Sequence, residues 1–165
     1  MQDIIPKTLL VVHPIIGSFL TSFLGGNNMS PSWYTTLKKS PLTPPGFVFP
    51  IVWTVLYILL GINVMTIYNK IKRLNRPAFF NQEFIKNYLI SFEAQLILNL
   101  SWSFAFFKFK KPTISLGIVI GMVLLTIYLL YKSWYIDKTA FYILVPYLLW
   151  ILLATYLNLY IVINN

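Results

Sequence analysis

The chain has 165 residues, of which 58% are hydrophobic and only 10% charged, with a mean hydropathy of +0.71; soluble domains average roughly 25% charged residues. Thirteen Lys and Arg against four Asp and Glu give a formal charge of +9, but these residues cluster at the ends of apolar runs, which suits membrane lipid headgroups and argues against nucleic acid as a partner. The absence of cysteine excludes disulfides, thiolate catalysis and Cys-based metal or iron–sulfur sites.

Apolar stretches of roughly 18 residues or more, the length that crosses a bilayer, recur along the chain. They predict spans at 9–24, 47–68, 84–107, 113–131 and 139–163, within a single domain covering 1–165. Backbone amides in hydrocarbon must be satisfied within the segment, so the spans are expected to be helices. The expected fold is an all-α membrane protein, a five-transmembrane-helix bundle with a long structured first loop.

The segment before the first span contains Asp3 and Pro6 and is followed by no clear A-x-A-like site, so the first run is expected to be a mature helix and not a cleaved signal. His13, just before Pro14, has no second ligand nearby in the sequence. A helix-entry role fits it better than metal or haem iron. Gly17, Thr21 and Gly25 offer close approach to another helix.

The first connection, 25–46, is crowded with Trp33, Tyr34, Lys38, Lys39 and the prolines 41, 44 and 45. Proline removes amide donors and restricts the backbone, which lowers the entropy lost on ordering a lid. The second span then carries Trp53, Tyr57 and Gly61 on one helical face.

In the third span Gln95, Asn99, Trp102 and Phe106 share a face that combines amides with aromatic surface. Glu93 is the one carboxylate well inside a span. It points about 200 degrees away from Gln95 at 100 degrees per residue, so it is expected at a polar contact or an interface and not in the cavity. The fourth span contains Gly117 and Gly121, whose spacing serves equally for a dimer face or for seating the helix within its own bundle. In the fifth, Tyr147, Trp150, Ala154, Leu157 and Asn158 form another stripe. Any one stripe is explained by helix packing alone, whereas three of one chemistry favour a shared lining for a planar, largely apolar ligand.

Lys and Arg counts lean towards a cytoplasmic N-terminus. Lys7, the group from Lys70 to Lys86, Lys132 and Lys138 lie on the N-terminal side, against Lys38, Lys39 and the group from Lys108 to Lys111 on the other. No nucleophile elbow, phosphate loop, zinc spacing or paired carboxylate appears, so neither catalytic residues nor a metal site is predicted.

Four blocks carry a family resemblance: WYTTLKKSPLTPPGFVFPIVWTVLY after the first span, LILNLSWSFAFF in the third, PYLLWILLATYLN in the fifth and, more weakly, HPIIGSFLTSF in the first. In this order they resemble the TspO/translocator protein family, also called tryptophan-rich sensory proteins and peripheral-type benzodiazepine receptors. The resemblance implies a five-helix bundle, often a homodimer, that binds tetrapyrroles such as protoporphyrin and haem, and isoquinoline carboxamide or benzodiazepine ligands. Porphyrin or haem would be ligands and not obligatory cofactors.

Carried over by position, the lining would be Ser22, Trp33, Trp53, Asn99, Trp102, Phe106, Trp150, Ala154 and Leu157, with Tyr57 added from its stripe. Family members usually carry tryptophan where this chain has Phe47, and often another where Leu100 stands; the proline before the second-span tryptophan is shifted by one, giving Pro50-Ile51. The family's animal sterol motif lacks its basic residue here, since Leu157 and Tyr160 are followed by no Lys or Arg. The resemblance therefore favours a bacterial-type member in a cell envelope, with a sensory, regulatory or trafficking role. Two other readings stay open: a transporter of porphyrin, lipid or sterol, and a slow light-dependent porphyrin-degrading enzyme.

Overall fold

The structure, a computed structural model, describes residues 31–74 and 78–165. The first span, with His13, Gly17, Thr21, Ser22 and Gly25, lies outside the described residues, as does Arg76. The described chain starts with a short helix, α1 (Pro31–Thr36), and continues through α2 (Val48–Arg73), α3 (Ala78–Ser103), a π-helical turn (Phe104–Lys108), α4 (Pro112–Ile136) and α5 (Lys138–Asn164). Four of these segments are long and apolar enough to cross a membrane. They correspond to the second to fifth spans expected from hydropathy, and no strand occurs among the described residues.

The helices run beyond the apolar windows that announced them. Hydropathy registers only the stretch that suits hydrocarbon, whereas the backbone stays helical wherever its end groups find partners. α2 continues to Arg73, with Lys70, Lys72 and Arg73 in the last turn, where cations meet the negative end of the helix dipole. α4 starts with Pro112 at its first position and runs to Ile136, so the expected connector around Lys132 is helix. A single extended residue, Asp137, separates α4 from α5, and its Oδ1 accepts the Ala140 amide at 3.1 Å as an N-cap.

α3 ends differently from the rest. The amide of Phe109 donates to the Phe104 carbonyl and that of Lys111 to the Ala105 carbonyl, each at 2.9 Å, so the helix widens before it stops. Lys110 closes this segment with φ of 54°, a left-handed conformation that a non-glycine residue adopts at some steric cost.

α5 packs extensively along α4, α3 packs on α4, and α2 packs on α5, while α2 and α3 touch only thinly. The centre is apolar: Leu60, Phe92, Leu129, Leu144 and Ile151 are fully buried. The outside is apolar as well, with Ile51, Val55, Ile58 and Ile62 exposed along α2 and Leu124 and Ile127 on α4. A surface of that kind would aggregate in water and suits lipid. The chain is a multi-pass integral membrane protein.

Polar contacts tie the two ends. At one, Lys70 Nζ lies 3.4 Å from Asp137 Oδ2. At the other, Asn158 Nδ2 donates to the Pro112 carbonyl at 2.8 Å, and the Lys38 amide donates to Asn165 Oδ1 at 2.9 Å. The grouping of basic residues drawn from the sequence therefore holds for the described ones, because Lys38 stands at the end of the bundle opposite Lys70.

Of the Gly117 and Gly121 pair, Gly121 seats α4 within the bundle. A Cβ there would stand 3.2 Å from Leu98 Cδ1 of α3, whereas one at Gly117 would meet nothing within 4 Å. Glu93 is half-buried, while Gln95 is fully buried.

Candidate functional site

The sequence stripes converge in two aromatic clusters. The first lies between α2 and α5. Trp53 stacks on Tyr57 one turn later, with ring centroids 5.6 Å apart, and meets Tyr147 and Trp150 edge to face, each at 6.4 Å. Phe49 closes the other side of Trp150 at 5.8 Å. These pairs follow from helical spacing: Phe49, Trp53 and Tyr57 recur every four residues on α2, and Tyr147 and Trp150 are three apart on α5.

The second cluster lies between the lid and the end of α3. Trp102 stacks on Phe106 at 5.2 Å, and Trp33 of α1 meets the edge of Phe106 at 5.7 Å. Tyr34 contacts Phe106 at 6.1 Å and Phe107 at 5.7 Å. The π-helical turn lets consecutive residues join one cluster, since Trp102 also meets Phe107, five residues on, at 5.9 Å. Above these rings, Lys39 Nζ sits 4.5 Å from the Tyr34 centroid. Burial pushes the Tyr34 phenol above its ordinary pKa, so the ring stays neutral.

Asn99 ties the first cluster to α3. Its Oδ1 accepts the Tyr57 hydroxyl at 2.6 Å and its Nδ2 donates to Tyr147 Oη at 2.9 Å, while Gln95 Nε2 also donates to Tyr147. α2, α3 and α5 are thereby locked by a chain of buried side-chain hydrogen bonds. Gln95 Oε1 is buried and has no hydrogen-bond partner. At the lid end Asn158 Oδ1 accepts from Trp102 Nε1 at 3.1 Å and from Ser115 Oγ at 2.8 Å, which fixes the Trp102 ring.

The lid is held from below. Asn165 takes the Lys38 amide on its Oδ1 and donates Nδ2 to the Lys38 carbonyl at 3.2 Å. Ser40 Oγ and Tyr156 Oη are 3.1 Å apart, and Ser40 Oγ accepts the Leu42 amide. The prolines remove amide donors, the amides of Leu42 and Thr43 bond to Ser40 within the lid, and the α5 terminus supplies the partner for that of Lys38.

Of the residues that the sequence marks as lining, Trp53, Tyr57 and Trp150 fall in the first cluster, with Asn99 hydrogen-bonded to its two tyrosines, and Trp33, Trp102 and Phe106 in the second. Ala154 is half-buried against the core. Leu157 is half-buried and takes no part in the ring pairs or hydrogen bonds of either cluster among the described residues. Ser22 lies outside the described residues. The sequence shows Tyr147 and Gln95 as stripe members without marking them as site residues, although Tyr147 is the acceptor on which two amides converge. It does not mark Phe49, Tyr34 or Phe107 for the site either; the four-residue spacing from Phe49 to Trp53 is the available signal for the first, and nothing in a helical pattern points to Phe107.

A second polar knot lies deeper, towards the Lys70 end. Tyr88 Oη donates to Asn63 Oδ1 at 2.7 Å and lies 3.0 Å from Ser133 Oγ, while Asn63 Nδ2 donates to the Ala140 carbonyl at 2.8 Å. This one contacts neither aromatic cluster among the described residues and ties all four long helices.

Comparison with known proteins agrees with this architecture. Residues 10–163 match the model of the TspO/MBR family. The chain is 31% identical to the tryptophan-rich protein TspO of Chlorobaculum tepidum, over 92% of this chain and 94% of that protein. It is 34% identical to the protein of the same name from Archaeoglobus fulgidus, over 89% and 88%. It is 32% identical to the tryptophan-rich sensory protein of Cereibacter sphaeroides, over 76% and 72%. Matched along nearly its whole length, and with the aromatic stripes of that resemblance gathered in two clusters, the chain belongs to the TspO/MBR family.

Proposed function

We propose that the protein binds a planar, largely apolar ligand of the tetrapyrrole type, protoporphyrin or haem, between α2, α3, α5 and the lid. Isoquinoline carboxamide and benzodiazepine-type molecules would compete for the same surface. One observation supports this most: Trp53 is bordered by Tyr57, Tyr147 and Trp150 while Asn99 bridges the two tyrosines beside it. Flat ring surfaces with a few fixed amides suit a conjugated ring that carries little polarity of its own. The role would be sensory, regulatory or in trafficking, in line with the name of the Cereibacter sphaeroides relative. A homodimer is part of the same proposal.

The test is titration of the protein in lipid nanodiscs with protoporphyrin, following the porphyrin absorption band so that removing tryptophans does not remove the signal. Each aromatic contact contributes about 0.5–1.5 kcal/mol beyond area burial. The Trp53→Ala, Trp150→Ala double variant should therefore bind roughly tenfold or more weakly. Unchanged affinity in that variant overturns the proposal.

A further inference from the structure

The lid end carries Lys38, Lys39, Lys108, Lys110 and Lys111, and among the described residues no Asp or Glu side chain stands with them. Asp137 is at the opposite end with Lys70, Glu83 is near the start of α3, and Glu93 lies within that helix. At the far end Lys70 is paired with a carboxylate while Lys72, Lys132 and Lys138 lie over rings; at the lid end Lys39 rests 4.5 Å from the Tyr34 ring centroid and Lys108 lies 5.7 Å from that of Phe104. A ring face holds an ammonium in place without neutralising it, so its N–H donors remain available to an anion.

Lys39 is the best placed of the five. It is half-buried, while the others are exposed. Tyr34 beneath it packs on Phe106 and Phe107, so its charge sits at the rim of the second aromatic cluster. The Lys38 backbone, clamped by Asn165, fixes where the neighbouring Lys39 side chain begins.

We infer that the lid end is a charge-selective mouth, in which Lys39 engages a carboxylate at the edge of the bound ring system so that carboxylated planar ligands are taken in preference to their neutral esters. This rests on the reading of the aromatic clusters as a binding site, and it adds the substrate class. A ligand whose ring lies among Trp102, Phe106 and Trp53 brings its peripheral acid groups to the lid, where ammonium groups with no Asp or Glu partner among the described residues meet them. Partly screened pairs of this kind are worth up to about 1 kcal/mol, or roughly fivefold in affinity. The same groups would also attract anionic lipid headgroups, so the surrounding lipid is kept zwitterionic in the main experiment and varied in a second.

Protoporphyrin and its dimethyl ester are titrated into the protein in phosphatidylcholine nanodiscs. The expected result is a preference of about fivefold for the acid at low salt, lost in molar salt. Lys39→Gln should abolish the preference and leave ester binding unchanged. Lys138→Gln, which removes a cation lying over the Trp134 ring at the far end, should leave the preference intact. Equal binding of acid and ester to the unaltered protein overturns the inference alone. So does a preference that survives in Lys39→Gln, or one that Lys138→Gln removes equally, since net charge would then govern binding. Added phosphatidylglycerol, which repels carboxylates and competes for the lysines, should lower the preference; one that rises on its addition does not come from cationic groups and also overturns it. Failure of both porphyrins to bind rejects the tetrapyrrole reading and this inference with it.

Discussion

The Tyr57 hydroxyl of α2 donates to Asn99 Oδ1 of α3 across 2.6 Å, where the two helices otherwise touch only thinly. A long side chain therefore holds apart, and in register, the walls between which the aromatic rings stand. Tyr57→Phe removes the donor and leaves a buried acceptor, and Asn99→Leu removes the acceptor for Tyr57 and a donor to Tyr147. Interhelical hydrogen bonds in membranes average about 0.6 kcal/mol with a maximum near 1.7. Each variant should lower stability within that range, and the double variant should lose less than the sum. Denaturation by sodium dodecyl sulfate from mixed micelles measures all three, and strict additivity would deny that the pair is coupled.

Asn158 should matter more to stability than any other single amide at the lid end. It joins α5 to the Pro112 carbonyl, to Ser115 and to the indole of Trp102. Asn158→Leu loses all three contacts and should cost about 2 kcal/mol. Trp102 should become more accessible to a membrane-soluble quencher. A variant as stable as the parent would show that the apolar contacts of α4 and α5 suffice.

Acid should weaken the far end through Asp137. Burial acts to raise its pKa, but the Ala140 amide and Lys70, with the Thr139 amide, outweigh that and hold the carboxyl below its ordinary value. A depressed folded-state value means that the stabilisation is present above the unfolded value, about 3.9, and is lost as the pH falls through the folded one. Asparagine keeps the N-cap and removes the charge. Asp137→Asn should therefore unfold at a lower temperature than the parent at pH 7, with the gap closing towards pH 3. A gap that does not change with pH means that the charge is not what stabilises this corner.

Gly117 and Gly121 should respond differently to leucine. At Gly121 the new side chain would press on Leu98 and push α4 from α3, whereas at Gly117 there is room around the Cβ position. Gly121→Leu is expected to destabilise the monomer by about 1–3 kcal/mol, as overpacking does. Gly117→Leu should leave the monomer folded. If Gly117 also serves a dimer face, that substitution alone shifts the oligomer distribution seen by mass spectrometry from detergent.

The lid amide of Lys38 should exchange slowly for a loop residue. It is bonded to Asn165 Oδ1, and one such bond is worth about 1 kcal/mol. Asn165→Ala should speed hydrogen exchange at Lys38 by roughly fivefold while amides in the middle of α5 keep their protection. Equal acceleration in both places would mean that α5 frays as a whole.

Four spans are legible from apolar length alone, and the pocket-facing stripes from helical spacing, because a side chain every three or four residues cannot avoid sharing a face. Trp53, Tyr57, Asn99 and Trp150 are recoverable on that basis. The ends of α2 and α4 are not, since a helix stops where its terminal carbonyls and amides find partners, and Asp137 and Lys70 are supplied by different segments. Tyr147 looks like one more ring in a stripe; its place as the acceptor of two amides depends on Gln95 and Asn99 arriving from another helix. Phe107 is invisible for a geometric reason, because only a widened turn brings a residue five positions on to the same ring.

That widened turn is an α-helix with one residue too many. The surplus residue weakens the regular ladder between Phe104 and Lys108 and is followed by the left-handed Lys110. In exchange, Phe106 and Phe107 both turn inwards, and the roof over the α3 end is two rings wide instead of one. Length here is thus a means of tuning area: deleting one residue from 104–108 would restore ordinary helix, rotate everything after it by about 100 degrees, and leave Tyr34 with a single ring to rest on.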